Sequence, residues 1–204
     1  MNGYVVRGET RSAALADWLA RFDLLLFAIA GLSHRYGLIG THDFFWVLAL
    51  VGGLAVFVLL LAAVAFRRLW LFGDRGGRMA TRATLIALLV LIPFVLSGWF
   101  AVRYPTLNDI STDLDDPPGF TILARNRTAQ MNPFDPITVI EAEQQIAAFP
   151  AVTGRRYEAA PDTVMAAVAA LLDSRGWQAA GQPGGSLETG EVTLEVTARS
   201  MIFG

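Results

Sequence analysis

Residues 44–66 read FFWVLALVGGLAVFVLLLAAVAF, without a single ionisable side chain. Residues 83–102, ATLIALLVLIPFVLSGWFAV, share that property. A helix rises ~1.5 Å per residue, so about 20 apolar residues cover the hydrocarbon core of a bilayer. Lipid offers no water to backbone N–H and C=O groups, and one isolated segment satisfies them only as a helix. Both stretches are therefore expected to be transmembrane helices, at about 44–66 and 83–102.

Between them Arg67, Arg68, Arg75, Arg78 and Arg82 stand against one acid, Asp74. Short Arg-rich loops stay in the cytoplasm, which places this loop inside and everything after Tyr104 outside. The same arginines are placed to touch anionic lipid headgroups. Gly73, Gly76 and Gly77 lack the preceding strand and the Gly-Lys-Ser/Thr pattern of a phosphate-binding loop, so they read as a turn. Trp46, Trp70 and Trp99 near the span ends suit an aromatic belt. Pro93 is expected to kink the last span.

An earlier apolar run, Leu24–Leu32, reaches spanning length only by taking in Asp17, Arg21 and Asp23. A charge near a helix centre costs roughly 2.5–3.5 kcal/mol on insertion scales. Asp17 and Arg21 are four apart, share a face and can pair. The reading adopted is a third span at about 15–33, with an interfacial amphipathic helix as the alternative. Three spans put the N-terminus with Arg7 and Arg11 in the cytoplasm and the segment 34–43 outside. Gly52-Gly53 and Ala62-Ala63 permit close helix contact, within the chain or with another subunit.

The 204 residues are 54% hydrophobic with formal net charge -2, but that total conceals a split. Residues 1–102 hold nine Arg against five acids, whereas 103–204 hold seven Arg against thirteen. An acidic extramembrane half argues against nucleic acid as partner, because phosphate binding needs a cationic surface. With no Cys, thiolate metal sites, disulfides and cysteine nucleophiles are excluded. No cleavable signal peptide is evident at the N-terminus. All basic residues are Arg, and Ala and Gly are abundant, which points to a GC-rich bacterial genome. The expected location is the bacterial inner (cytoplasmic) membrane, with residues 1–103 as membrane region and 104–204 as a periplasmic domain.

In that second half, residues 104–120 are rich in Pro and Asp and read as a connector. Ala160-Pro161-Asp162 opens a helix, with Pro at its first position and an acid in its first turn. Val164, Met165, Val168, Leu171 and Leu172 recur on one helical face. Gly176 ends the helix, and Trp177 is placed to pack back on it. After a turn at 181–185, Val192, Leu194, Val196 and Ala198 alternate with Thr193, Glu195, Thr197 and Arg199, the pattern of a strand with one buried face. Leu187-Glu188 is expected to pair with it through a turn at Thr189-Gly190. The fold class is thus an α-helical transmembrane region followed by a small α+β domain, an amphipathic helix on a mainly antiparallel sheet.

Arg103-Tyr104-Pro105, Asn108-Asp109-Ile110-Ser111-Thr112-Asp113 and Asp116-Pro117-Pro118 with Phe120 resemble the opening of a family of bacterial and plastid proteins. It is catalogued as a domain of unknown function, number fourteen ninety-nine. Phe149-Pro150, Arg155-Arg156-Tyr157, Arg175-Gly176-Trp177, residues 194–199 and Phe203-Gly204 extend the likeness over about half the chain. The resemblance implies a membrane-anchored domain without an established activity. The family pattern continues past Phe-Gly with further strands and a last helix, so the domain is expected to be incomplete here.

Asp109, Asp113, Asp115 and Asp116 crowd one loop with Ser111 and Thr112, and could hold Ca²⁺ or Mg²⁺. The bland reading is a connector whose Asp and Ser side chains bond their own backbone. His34 and His42 could ligate a metal or haem, but lie in one short segment and read as interfacial. The extramembrane half has no His, which excludes a Ser-His-Asp triad there. Glu141 with Glu143, or Asp115 with Asp116, could serve acid/base chemistry, though adjacent acids on polar loops are usually just solvated. The expectation is a non-enzymatic accessory or structural subunit, without cofactor, whose partners are membrane lipids and a protein in a membrane complex. The alternatives are a metal- or lipid-binding envelope protein, or an enzyme using the loop 109–116.

Overall fold

In the computed structural model three long helices dominate the first hundred residues: α1 (Arg11–Arg35), α2 (Thr41–Phe72) and α3 (Gly77–Arg103). The structure describes Gly8, residues 10–127, Met131, residues 135–186 and residues 191–198. The chain divides into two compact units, with the boundary between Phe100 and Ala101.

Both apolar runs lie inside longer helices. α2 continues past Phe66 through Arg67 and Arg68 to Phe72, and α3 starts six residues before Ala83. The arginine-rich segment is therefore mostly helical, and only Gly73–Gly76 form the connection. Gly73 ends α2 in the left-handed conformation (φ 67°), its N–H bonded to the Leu69 carbonyl. α3 runs through Pro93 without a break. α2 and α3 are each long and apolar enough to cross a membrane. Only 22% and 11% of their most apolar windows are buried inside the chain. A core helix of a soluble protein would hide most of that surface.

What the three helices do bury is small. Ala13, Ala16 and Ala20 of α1, Val51, Ala55, Val58, Ala62 and Ala65 of α2, and Ala80, Ala83, Ala87 and Val90 of α3 are all sealed from solvent. Their spacing alternates between three and four residues, the seam of a left-handed helical bundle. Leu, Ile, Phe and Trp side chains mostly project outward instead. α1 lies antiparallel along α2. Ala13 clusters with Ala65 and Ala80 at one end, and the His34 ring stacks on Phe44 at 4.3 Å at the other. Twenty-one residues separate Ala13 from His34, about 32 Å of helix.

The small residues noted in the sequence divide by face. Gly52 lies against Phe94 of α3, where an added Cβ would stand 3.3 Å from the ring, and Ala62 is buried within the chain. Gly53 has nothing within 4 Å of such a Cβ, and Ala63 is exposed.

The second unit holds α4 (Ile122–Arg125), α5 (Val139–Ala148) and α6 (Pro161–Arg175), followed by β1 (Gln178–Ala179), β2 (Gly184–Ser186), β3 (Glu191–Thr193) and β4 (Val196–Thr197). β1 pairs with β4 and β2 with β3, both antiparallel, as two separate two-stranded ribbons. α6 begins at Pro161 with Asp162 in its first turn, and ends at Gly176 (φ 63°) with the Trp177 N–H on the Leu172 carbonyl. Its expected apolar face is only partly covered: Val164, Met165, Val168 and Leu172 are half-buried and Leu171 is exposed.

α5 was not anticipated, although Thr138 and Glu141 form a complete capping box at its start, a signal readable in the sequence. The glycine-rich turn also ends earlier than expected, since Gly184 and Gly185 already belong to β2. The single strand expected across 192–198 is split in two. Val192, Leu194 and Val196 are half-buried while Thr193 and Thr197 are exposed, as alternation requires, but Glu195 is buried and Ala198 exposed. Leu187, Glu188, Thr189, Gly190 and Arg199 lie outside the described residues.

Gly52→Leu should lower the stability of the helical unit by about 1–3 kcal/mol, because the side chain must displace the Phe94 ring. Gly53→Leu should be nearly neutral. Thermal unfolding of the two variants in the same detergent checks this, and equal losses would contradict the packing described.

Candidate functional site

Helices α1 and α3 carry the densest charge cluster of the first unit. Asp17 is buried and accepts Arg82 Nε at 2.5 Å on Oδ1 and Arg82 Nη2 at 2.6 Å on Oδ2. Arg21 Nη2 reaches the same carboxylate at 2.8 Å, and Arg21 Nε donates to the Asp17 carbonyl. The Asp17–Arg21 pair follows from helical spacing. The forked bond to Arg82, 65 residues away, requires the tertiary fold. Two parallel N–H donors on one carboxylate are the strongest geometry such a pair adopts. Asp23, six residues further along α1, is 1% exposed, and neither of its carboxylate oxygens has a hydrogen-bond partner.

At the same end of the helices Asp74 organises the α2–α3 connection. Its Oδ2 accepts from Thr10 Oγ1 at 3.2 Å and from Arg68 Nε at 3.3 Å. The Arg75 N–H donates to the Gly8 carbonyl and its carbonyl accepts the Thr10 N–H, so the connection is laced to the segment entering α1. His34 and His42 both have contacts within this unit. His34 Nδ1 lies 3.3 Å from the Ile39 carbonyl, and His42 Nε2 accepts from Trp46 Nε1 at 3.1 Å. His34 is buried rather than solvated.

In the second unit the four loop aspartates go largely to local turns. Asp109 Oδ1 accepts the Ile110 N–H, and Asp113 Oδ1 accepts the N–H groups of Asp115 and Asp116. Ser111 Oγ donates to the Asp113 carbonyl and accepts the Asp113 N–H. These are the side-chain-to-backbone bonds that shape a connector. Among the described residues no group of three or more His, Asp or Glu side chains is placed to share a metal ion. Gln145 of α5 clamps the loop from outside it. Its Nε2 donates to the Ser111 carbonyl at 2.6 Å, and its Oε1 accepts the Ser111 N–H at 3.1 Å. Gln145 is 2% exposed, the most buried polar side chain of this unit's described residues.

Glu195 is a second such clamp. Its carboxylate accepts the N–H groups of Thr121 (2.7 Å), Ile122 (2.9 Å) and Leu123 (2.7 Å), together with Thr121 Oγ1 at 2.6 Å. Its own carbonyl accepts the Ala180 N–H, which extends the β1–β4 pairing by one rung. One residue thus ties α4 to the ribbon, which is why its side chain breaks the alternation of the strand. The Leu123 N–H, the Thr121 hydroxyl and the Ile122 N–H hold the Glu195 carboxyl far below its ordinary range, down to about 2. Beside it Ile122 closes over Gly181, where a Cβ would meet Ile122 Cδ1 at 2.7 Å, so a larger residue there requires the Ile122 side chain to shift.

Glu141 does not join Glu143 as an acid/base pair. Thr138, through its hydroxyl and then its N–H, binds the Glu141 carboxylate and lowers its pKa, and residues two apart on a helix diverge. A cavity of about 240 Å³ borders Glu195, lined by Gly119, Thr121, Gln182, Gly184 and Thr193 among others. Apart from Ile122 its walls are glycine and polar groups, unlike the apolar chamber a lipid tail needs. The clamps at Gln145 and Glu195 escaped sequence reasoning because their partners are backbone groups, which carry no residue signature. No family model matches the chain, and neither the curated proteins nor the solved structures provide a match.

Two measurements test these assignments. Asp17→Asn and Arg82→Gln should each lower the unfolding temperature, with a double variant little worse than either, whereas Arg21→Gln, which keeps the forked Arg82 bond, should lower it less. Thermal unfolding in detergent reads this, and additive losses would separate Asp17 from Arg82. For Glu195, the folded pKa lies below the unfolded value of 4.5, so its stabilisation is complete above pH 4.5 and is lost as pH falls towards about 2. The amide signals of Ile122 and Leu123 should shift across that window in the wild type. In Glu195→Gln the shift should be absent, and a shift that persisted would assign it to another acid.

Proposed function

We propose that this chain is a bacterial inner-membrane protein of accessory or structural type. Its helical unit anchors the second unit on the periplasmic side, where that unit meets a protein partner. The supporting observation is the inverted character of α5. The one residue it buries is Gln145, while Val139, Ile140 and Ile146 are 76%, 67% and 60% exposed. A helix that turns its amide inward and its aliphatic side chains to water presents a surface for another protein. The half-covered face of α6 adds to it.

The anchor reading draws on α2 and α3, whose outward apolar surface suits lipid. α1 packs along α2 for about 32 Å, close to the ~30 Å of a hydrocarbon core, and so counts as a third span. The two acids it carries into the bundle, Asp17 and Asp23, point away from lipid. Arginine placement sets the orientation, with Arg67, Arg68, Arg75, Arg78 and Arg82 in the cytoplasm. The likeness to the fourteen ninety-nine family of domains of unknown function belongs to the same reading. Metal-dependent or catalytic use of Asp109, Asp113, Asp115 and Asp116 is not adopted, because the bonds at Asp109 and Asp113 are those of a self-capped connector.

The full-length protein, purified in mild detergent after cross-linking, should bring down one partner in a fixed ratio. Val139→Ser, Ile140→Ser and Ile146→Ser together should abolish that recovery and leave the stability within about 0.5 kcal/mol of wild type. A monomer without a companion, or a partner indifferent to the triple variant, would refute the interface. A periplasm-active reporter fused after Arg103 should be active, and its silence would reverse the orientation.

A further inference from the structure

Among the described residues Arg11, Arg67, Arg75 and Arg78 are in no ion pair, whereas Arg21 and Arg82 share Asp17 and Arg68 takes Asp74. Uncompensated positive charge therefore gathers at one end of the helical unit. Here a cavity of about 120 Å³ is lined by Thr10, Arg11, Ala14, Arg75, Gly76 and Met79. Its frame is fixed. The Arg75 backbone is bonded on both sides, to Gly8 and to Thr10, and Gly76 (φ 135°) leaves only 3.1 Å between its would-be Cβ and that of Ala13. Asp74, an acid beside this cavity, is engaged by the Thr10 hydroxyl and Arg68.

The surroundings say what kind of anion. Met79 also lines a groove of about 750 Å³ that follows α3 past Arg78, Thr81 and Arg82 to Leu85. The groove is cationic at its start and apolar at Leu85, which opens the outward apolar face of α3. Trp70, Leu71 and Phe72 stand exposed at the same end, Trp70 by 91%. A phosphate that carries hydrocarbon fits this sequence of surfaces, whereas a free anion uses only the first part.

We propose that the cavity at the start of α1 and α3 binds the phosphate of an anionic phospholipid. Arg11 and Arg75 hold the phosphate oxygens, and an acyl chain lies along Met79 and Leu85. Guanidinium groups suit this task because their planar N–H forks match phosphate oxygens. The inference rests on the membrane reading above and adds one defined lipid site to it.

The full-length chain reconstituted in phosphatidylcholine vesicles with a minor share of phosphatidylglycerol, then released into neutral detergent, provides the test. Native mass spectrometry should find phosphatidylglycerol retained in preference to phosphatidylcholine. Arg11→Gln with Arg75→Gln should reduce that preference roughly tenfold, the effect of losing charge-assisted bonds worth about 1.4 kcal/mol. Arg67→Gln, outside the cavity, should keep it, and all variants should melt as the wild type does. Equal loss in Arg67→Gln, or displacement of the lipid by millimolar inorganic phosphate, would overturn the site as a diffuse patch or a free-phosphate pocket. An alkaline carbonate wash that strips the chain from the vesicles would instead overturn the membrane reading. A chain that resists the wash but retains both lipids equally would overturn only the cavity.

Discussion

Helices α1, α2 and α3 come close because alanine, not leucine, lies between them. Positions repeating at intervals of three and four residues carry Ala or Val on the inner faces, which brings the three backbones together. Everything else about the first unit follows from that contact. Gly52 has to be small where Phe94 crosses it, large apolar side chains are left on the outside, and the buried Asp17 of α1 needs a partner within a narrow seam. The forked Asp17–Arg82 bond meets that last demand at one end of the seam, and the His34–Phe44 stack closes the other.

The second unit solves a different problem. Its strands are two or three residues long and pair only as ribbons, which is less than a sheet needs to stand alone. None of its described apolar side chains is buried, whereas Gln145 and Glu195 are. Each buries a polar side chain against backbone groups far away in sequence, Ser111 in one case and Thr121 to Leu123 in the other. Satisfied bonds of this kind hold irregular segments in one arrangement, since leaving any of these groups unpaired in a buried place is costly. They also free the aliphatic side chains of α5 to face outward, the feature on which the proposed partner surface depends.

Legibility differed between the two halves for physical reasons. The long helices were visible as uncharged runs because spanning length and apolar composition are local properties. Only their ends were misjudged, since Arg67, Arg68, Arg78 and Arg82 continue the helices where the charge pattern marked a loop. The bounds of α6 were equally legible, from Pro161 and Gly176, because caps act within one turn. α5 announced itself by Thr138 and Glu141, a signal that had been present and not used. The strand at 192–198 misled at Glu195, where a tertiary contact outweighs the period of two.

The amino-acid order alone determined which long segments are apolar helices, where α6 starts and stops, and that Asp17 and Arg21 share a face. Those are matters of periodicity, capping and charge within a few residues. Only the tertiary structure decided that Asp17 takes Arg82, that Gly52 rather than Gly53 faces a helix, that Asp23 lies sealed in the bundle, and that Glu195 turns inward. Each of these depends on what another segment brings to within a few ångströms. No local pattern encodes the donors of a distant backbone.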